Sequence, residues 1–275
     1  IPSSVLMGRV PAMGRKKRQQ PNPQQSFSTS MDVDAKLQQA IPLYQAGQLQ
    51  QAEQICQQIL KDFPQHADAL HLLGVIAHQV GDYRIATSLI TQAIEIDPNQ
   101  SSFFYNVGNA LREQGKLDES VEAYQQAIHI QPDHADAHKN LGIILLLKGN
   151  LSQGWKEYGW RWKCDDIISK NRDFPQPSWD GTNLNGKSIL VWAEQGIGDE
   201  IMFTSILPTL SQMTEKTIIE CNLRLVPLFQ RSFPQIQFFS RRNPPNPKLL
   251  DKNIDYQIPM GSLGQWFRTD EDSFK

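Results

Sequence analysis

GNALREQGKLDESVEAYQQAIHIQP, residues 108–132, decides the fold of the first half of the chain, because its landmarks recur at one fixed interval. Gly115 in its middle has counterparts at Gly47, Gly81 and Gly149, each 34 residues from the next. Pro132 at its end has counterparts at Pro64 and Pro98 with the same spacing. A period of that length marks stacked supersecondary units. Each glycine separates two runs of helical apolar periodicity, where one helix ends in a left-handed cap and the chain turns back. Each proline follows the second run and stops it before the next unit. Gly108 is matched by Gly74, Gly142 and, in the first unit, Ala40; Ser120 is matched by Ala52, Ala86 and Gly154. Small residues at both places let the two helices of a unit approach closely.

Together these positions resemble the tetratricopeptide repeat over roughly residues 33–162. The resemblance implies a right-handed solenoid of four hairpins, whose concave face is a groove for a protein or peptide. Asn106 and Asn140 share one repeat position on adjacent units, two residues before the small glycine, and Asn109 belongs to the same groove. Similar asparagine ladders line the repeats of O-linked N-acetylglucosamine transferase and grip the backbone of a protein substrate. An amide suits that task because it offers both a donor and an acceptor. Gln38 and Leu72 replace asparagine in the first two units, so exposed repeat-consensus asparagines are an equal reading. His134 and His138 have the spacing of a metal pair, but they straddle a repeat junction without a third ligand, and no metal site is expected.

The 275 residues have room for two domains. With 27 basic and 29 acidic residues, no global attraction to nucleic acid or a membrane surface follows, and no nucleic-acid partner is expected. Cys56, Cys164 and Cys221 form no CxxC pair, which argues against a disulfide framework or zinc site and fits a reducing cytoplasm. The longest apolar run, residues 141–147, is too short to span a bilayer. Residues 1–30 begin with Ile1 and are rich in Gln, Pro and Ser, a composition expected of a disordered leader. The basic run at residues 15–18 belongs to that leader or is a nuclear or nucleic-acid signal, and Met31 is a candidate start.

The last repeat helix reads GWKEYGWRW, residues 154–162. A terminal repeat needs a polar cap unless something covers it. Trp155, Trp160 and Trp162 therefore predict a domain docked on the array, with packing inside the repeat as the alternative. Residues 164–186 are polar and aperiodic, a connector with a turn at Ser178-Trp179-Asp180-Gly181. Beyond it, KSILVWA at residues 187–193 suits a buried strand, a helix runs from Asp199 to about Met213 with a kink at Pro208, and strand, helix and strand follow to Phe239. That order predicts a partial, Rossmann-like, doubly wound parallel α/β sheet over residues 187–275. The predicted organisation is multidomain: leader 1–30, repeats 31–163, connector 164–186, sheet domain 187–275.

Ligands of such sheets bind at the carboxyl ends of the strands, which singles out EQGIGDE: Glu194, Gln195, Gly196, Gly198, Asp199 and Glu200. Gly196 and Gly198 match two glycines of a dinucleotide fingerprint, with Glu220 as the ribose-binding acid. Ile201 replaces the third glycine, however, and Asp199 would repel a pyrophosphate. WAEQGIGDEIMF, following GWxxYxWRW, resembles bacterial tetratricopeptide-repeat glycosyltransferases, whose transferase part is similar to B-type heptosyltransferases. The resemblance implies transfer of a sugar from a nucleotide donor to a protein or glycan hydroxyl, with Asp199 as the base. A helix-capping role is equally open to Asp199, and Glu194 or Glu200 could replace it as base. About 90 residues match the transferase part and the donor half is missing, so the fragment is expected to be inactive, to hold no cofactor, and to expose apolar surface where a second half would dock. The nucleotide sugar would be the donor substrate of the full-length protein. The rival reading is a non-enzymatic interaction module.

Overall fold

The computed structural model describes residues 23–165 and 172–274. The leader's first 22 residues, with the basic run, lie outside the described residues, and residues 23–30 are helical rather than leader-like. Among the described residues, eight helices make the first half: α1 (Pro23–Gln45), α2 (Leu49–Asp62), α3 (Ala67–Gln79), α4 (Tyr83–Ile96), α5 (Ser101–Glu113), α6 (Leu117–Ile130), α7 (Ala135–Leu147) and α8 (Leu151–Tyr158). They pair as four hairpins at the predicted places.

The turn glycines do what their spacing implies. Gly47, Gly81, Gly115 and Gly149 have φ of 74°, 89°, 74° and 79°. In each turn the amide just past the glycine donates back to the carbonyl five residues earlier, as in Gln48 to Leu43 at 2.8 Å and Asn150 to Leu145 at 2.9 Å. This is the Schellman closure. The small sites set how closely the helices approach. A Cβ on Gly142 would lie 2.4 Å from the Tyr158 backbone nitrogen, and one on Gly154 would lie 2.8 Å from that of Leu146. Ser120, at the other small site, donates its hydroxyl to the Gly108 carbonyl at 2.8 Å.

A 3-10 turn, Gly159–Lys163, leads from α8 towards the sheet. The sheet has four parallel strands: β1 (Ser188–Trp192), β2 (Lys216–Cys221), β3 (Gln237–Ser240) and β4 (Tyr256–Pro259), in the order β3-β2-β1-β4. The expected long first helix is broken. α9 (Ile197–Phe203) passes through a 3-10 turn into α10 (Leu207–Met213), with Pro208 at the start of α10, where its missing amide costs nothing. α11 (Val226–Ser232) joins β2 to β3. After β4 comes the short α12 (Gly264–Phe267).

Ile189, Val191, Ile219, Phe238 and Ile258 face one side, under Phe203, Leu207, Leu210 and Phe229. Leu190, Trp192 and Ile218 face the other, where Phe174, Leu249 and Ile254 cover them. The connector is thus part of the core. It also lies along the free edge of β4: the Trp179 amide donates to the Gln257 carbonyl and the Gln257 amide to the Pro177 carbonyl, both at 2.9 Å. Trp179 anchors the predicted turn, buried and donating its indole N–H to Thr182, and Gly181 there has φ 93°.

The terminal aromatics divide between the two expectations. Trp155 packs into the sheet-domain core and donates its indole N–H to the Arg268 carbonyl at 2.7 Å. Its ring lies 2.3 Å from where a Cβ on Gly264 would be. Trp162 meets Trp192 at 5.5 Å. Trp160 instead stays within the repeat, stacked on His138 at 3.9 Å with Lys163 on its ring.

Candidate functional site

The strand order reverses between β1 and β4, and the loops after these two strands flank that switch point. Glu194 and Gln195 follow β1; Gly261 and Ser262 follow β4. Glu194 is buried and Gln195 half-buried. Glu194 is 3% exposed and accepts from Arg161 Nη2 at 2.8 Å, across the seam with the repeats. The same nitrogen reaches Ser262 Oγ at 2.7 Å. Gln195 donates to the Tyr158 hydroxyl, again on the repeat array. Burial pushes the Glu194 carboxyl above the usual carboxylate range, against the pull of Arg161.

Asp199 stands in the first turn of α9, half-buried. Its Oδ2 accepts from the Gly196 amide at 3.1 Å, so it closes the loop that the two exposed glycines open. No hydrogen bond to its Oδ1 occurs among the described residues. Glu200 is buried and accepts from the Asn222 amide at 2.8 Å, tying α9 to the end of β2. Glu220, the acid of the dinucleotide reading, is fully buried against Arg172 at 2.5 Å, on the face away from α9. Burial raises the Glu200 and Glu220 carboxyls as well. The Asn222 amide opposes it at Glu200 and Arg172 at Glu220, while Arg241 pulls all three carboxyls down. Of the acids at this edge, Asp199 is the one whose carboxylate is both half-exposed and unpaired with a cation. Ile201 and Met202 stand open to solvent beside it.

A second site lies in the repeats. α1, α3 and α5 enclose a cavity of about 540 Å3 on the concave face, lined by Gln38, Ile41, Tyr44, Asp68, His71 and Asn106 among others. The asparagine ladder is cross-linked within the groove. Asn106 Nδ2 meets His71 Nε2 at 2.8 Å, and Asn140 Nδ2 donates to Asn109 Oδ1 at 3.0 Å, an oxygen that also accepts from Tyr124. Burial lowers His71 to about 4, so its neutral ring accepts from Asn106 at pH 7. Each asparagine therefore retains only part of its amide for a peptide. The candidate metal pair is occupied otherwise: His134 Nδ1 caps α7 at the Ala137 amide, and His138 meets Glu157 at 2.5 Å and the Pro132 carbonyl at 3.1 Å. No cluster of three metal-ligating side chains occurs among the described residues. Nor is any helix among them long and apolar enough to cross a membrane.

Arg161, Tyr158 and Arg241 were absent from the sequence reading of this edge. An arginine held between Trp160 and Trp162 was the available signal for the first.

Family models for tetratricopeptide repeats match residues 43–104, 89–122 and 108–149. Protein FlbA of Caulobacter vibrioides is 31% identical over 93 residues, which are 33% of this chain and 16% of that protein. The chain thus matches about a sixth of the length of that relative. Among solved structures, an O-GlcNAc transferase mutant of Thermobaculum terrenum is 20% identical, covering 87% of this chain and 49% of its own, with a TM-score of 0.46. MamA of Desulfovibrio magneticus is 21% identical over 48% of this chain and 77% of its own, with a TM-score of 0.44. Pseudomonas aeruginosa pilF is 21% identical over 50% and 63%, with a TM-score of 0.46. Likenesses at these scores are weaker than a shared fold. Together the family models and the capped hairpins identify residues 43–149 as tetratricopeptide repeats.

Proposed function

We propose that the repeats hold an extended peptide on their concave face and that the sheet domain is the acceptor-side half of a sugar-transferring protein. The observation that carries the binding part is the groove. It has the size of a ligand site, mixes apolar walls with amides, and leaves Gln38 and Asp68 exposed at its rim. The peptide lies across α1, α3 and α5, and the free half of the Asn106 amide meets its backbone. A selected peptide should bind the full chain and lose about tenfold in affinity on Asn106→Ala, roughly the worth of one or two hydrogen bonds. Unchanged binding would remove the ladder from recognition.

The transfer part rests on the position of Asp199 at the carboxyl edge, beside the switch point and unpaired with any cation, in a segment that resembles the glycosyltransferases. In this reading the acceptor hydroxyl oxygen attacks the anomeric carbon of a nucleotide sugar. The carbon–oxygen bond to the diphosphate breaks, the nucleotide diphosphate leaves, and Asp199 takes the hydroxyl proton. Donor binding is assigned to no residue of this chain. Asp199→Asn should lower transfer by the full-length protein about 100-fold or more, the scale of general base catalysis. Transfer that survives this change would return Asp199 to a capping role.

A further inference from the structure

Beside the apolar contacts of Trp155 and Trp162, an arginine from the repeats is buried in the seam with the sheet at the point where the strand order reverses. Arg161 is 2% exposed. Its Nη1 donates to the Tyr158 carbonyl at 3.3 Å, and its guanidinium lies over the rings of Tyr158 at 4.5 Å and Trp162 at 5.0 Å. Those contacts fix the guanidinium to the array. Its Nη2 then reaches out to the sheet domain and holds the loop after β1 through Glu194 and the loop after β4 through Ser262. Gln195 adds a second link, to the Tyr158 hydroxyl.

Adhesion does not require this arrangement. Trp155 and Trp162 already supply apolar contact, and replacing a buried ion pair with apolar side chains of similar volume is often neutral or favourable for stability. A planar guanidinium adds direction, because its donors fix where a carboxylate oxygen sits. The slot for that oxygen is shaped on the other side too: a Cβ on Gly261 would lie 2.3 Å from Glu194 Oε1. Immediately beyond Gln195 the loop passes through Gly196 into the first turn of α9. Gly196 and Gly198 are exposed, and a Cβ on Gly198 would meet nothing within 4 Å. Asp199 follows at once.

We propose that Arg161 is a positioning residue: by fixing Glu194 it sets the path of the loop after β1, so that the placement of Asp199 depends on the repeat array. The consequence for sugar transfer rests on the function proposed above; the positioning itself does not. A peptide that alters the packing of the last hairpin would thereby alter the edge where the acceptor binds.

Hydrogen exchange of the full chain tests this, read over residues 193–200 with α3–α6 as an internal reference. Arg161→Met should speed loop exchange at least tenfold and leave the reference unchanged. Arg161→Lys, which keeps the charge but not the planar fork, should fall between. The double variant Arg161→Met with Glu194→Met removes the stranded charge and guards against simple misfolding. It should regain most of the lost Tm while its loop still exchanges fast. Wild-type loop exchange in Arg161→Met, or loop protection restored together with Tm in the double variant, would overturn the proposal. Absence of transfer by the full-length wild-type protein, with loop protection behaving as expected, would count against the transfer reading alone.

Discussion

The repeat array and the sheet domain hide their interiors by opposite means. In the array, contacts are local and the close approaches are made by glycine, alanine and serine, as at Gly142 against Tyr158 and Ser120 against Gly108. In the sheet domain, charged side chains are taken inside and paired over long stretches of chain. Arg161 and Glu194 are 33 residues apart, and Arg172 and Glu220 are 48. The first strategy repeats and reads from any single unit. The second makes the sheet domain depend on pieces outside it, a connector and the last repeat hairpin. The array's end is therefore expected to unfold with its neighbour.

The comparison can be strained first where burial is most complete. Arg172→Met leaves the Glu220 carboxylate uncompensated in the core, which should cost about 3–5 kcal/mol, towards the low end because Arg241 remains nearby. Because burial already raises Glu220 above its ordinary range, its protonated form fits the fold better. The loss should therefore grow as pH rises from 5 to 8, followed by Trp fluorescence during urea unfolding. A loss independent of pH would show that Glu220 is not the group left stranded.

The array should answer to pH in the opposite direction. His71 is lowered to about 4 in the fold from an ordinary 6.5, so between these values the unfolded chain binds a proton that the fold refuses. Stability is full above 6.5 and falls as pH drops towards 4, by up to about 3 kcal/mol. Far-UV circular dichroism melts at pH 7 and 4.5 measure this, and His71→Gln should flatten the dependence.

Two glycine variants separate the two uses of that residue within the array. Gly142→Ala drives a methyl into the Tyr158 backbone and should cost about 1–3 kcal/mol. Gly47→Ala meets no atom but keeps φ at 74°, and should cost about 1–2 kcal/mol. The first should also weaken the sheet domain, since it displaces α8; the second should not. Equal effects on the sheet domain would erase the distinction.

The array was legible because a 34-residue period repeats each constraint three or four times, and a glycine turn leaves its mark locally. The sheet was legible in outline because KSILVWA and its followers are apolar runs separated by helices. β4 was missed: four residues ending in Pro259 carry little pattern, and its pairing with β1 spans almost the whole domain. EQGIGDE follows β1 at the carboxyl edge, but the roles of its acids were hidden. Glu194, Glu200 and Asp199 look alike in sequence, and only long-range partners tell a buried anchor from an available carboxylate. In the same way the asparagine ladder was visible, while its cross-links to His71 and Asn109 were not.

Native-state hydrogen exchange across a series of low denaturant concentrations tests the central contrast most directly. Amides of α8, β1 and β4 should share one opening free energy and one denaturant dependence, as a single cooperative unit, while α1–α4 open separately. If α8 exchanges with α1–α6 and the strands open on their own, the last hairpin belongs to the array and the account of the seam is wrong.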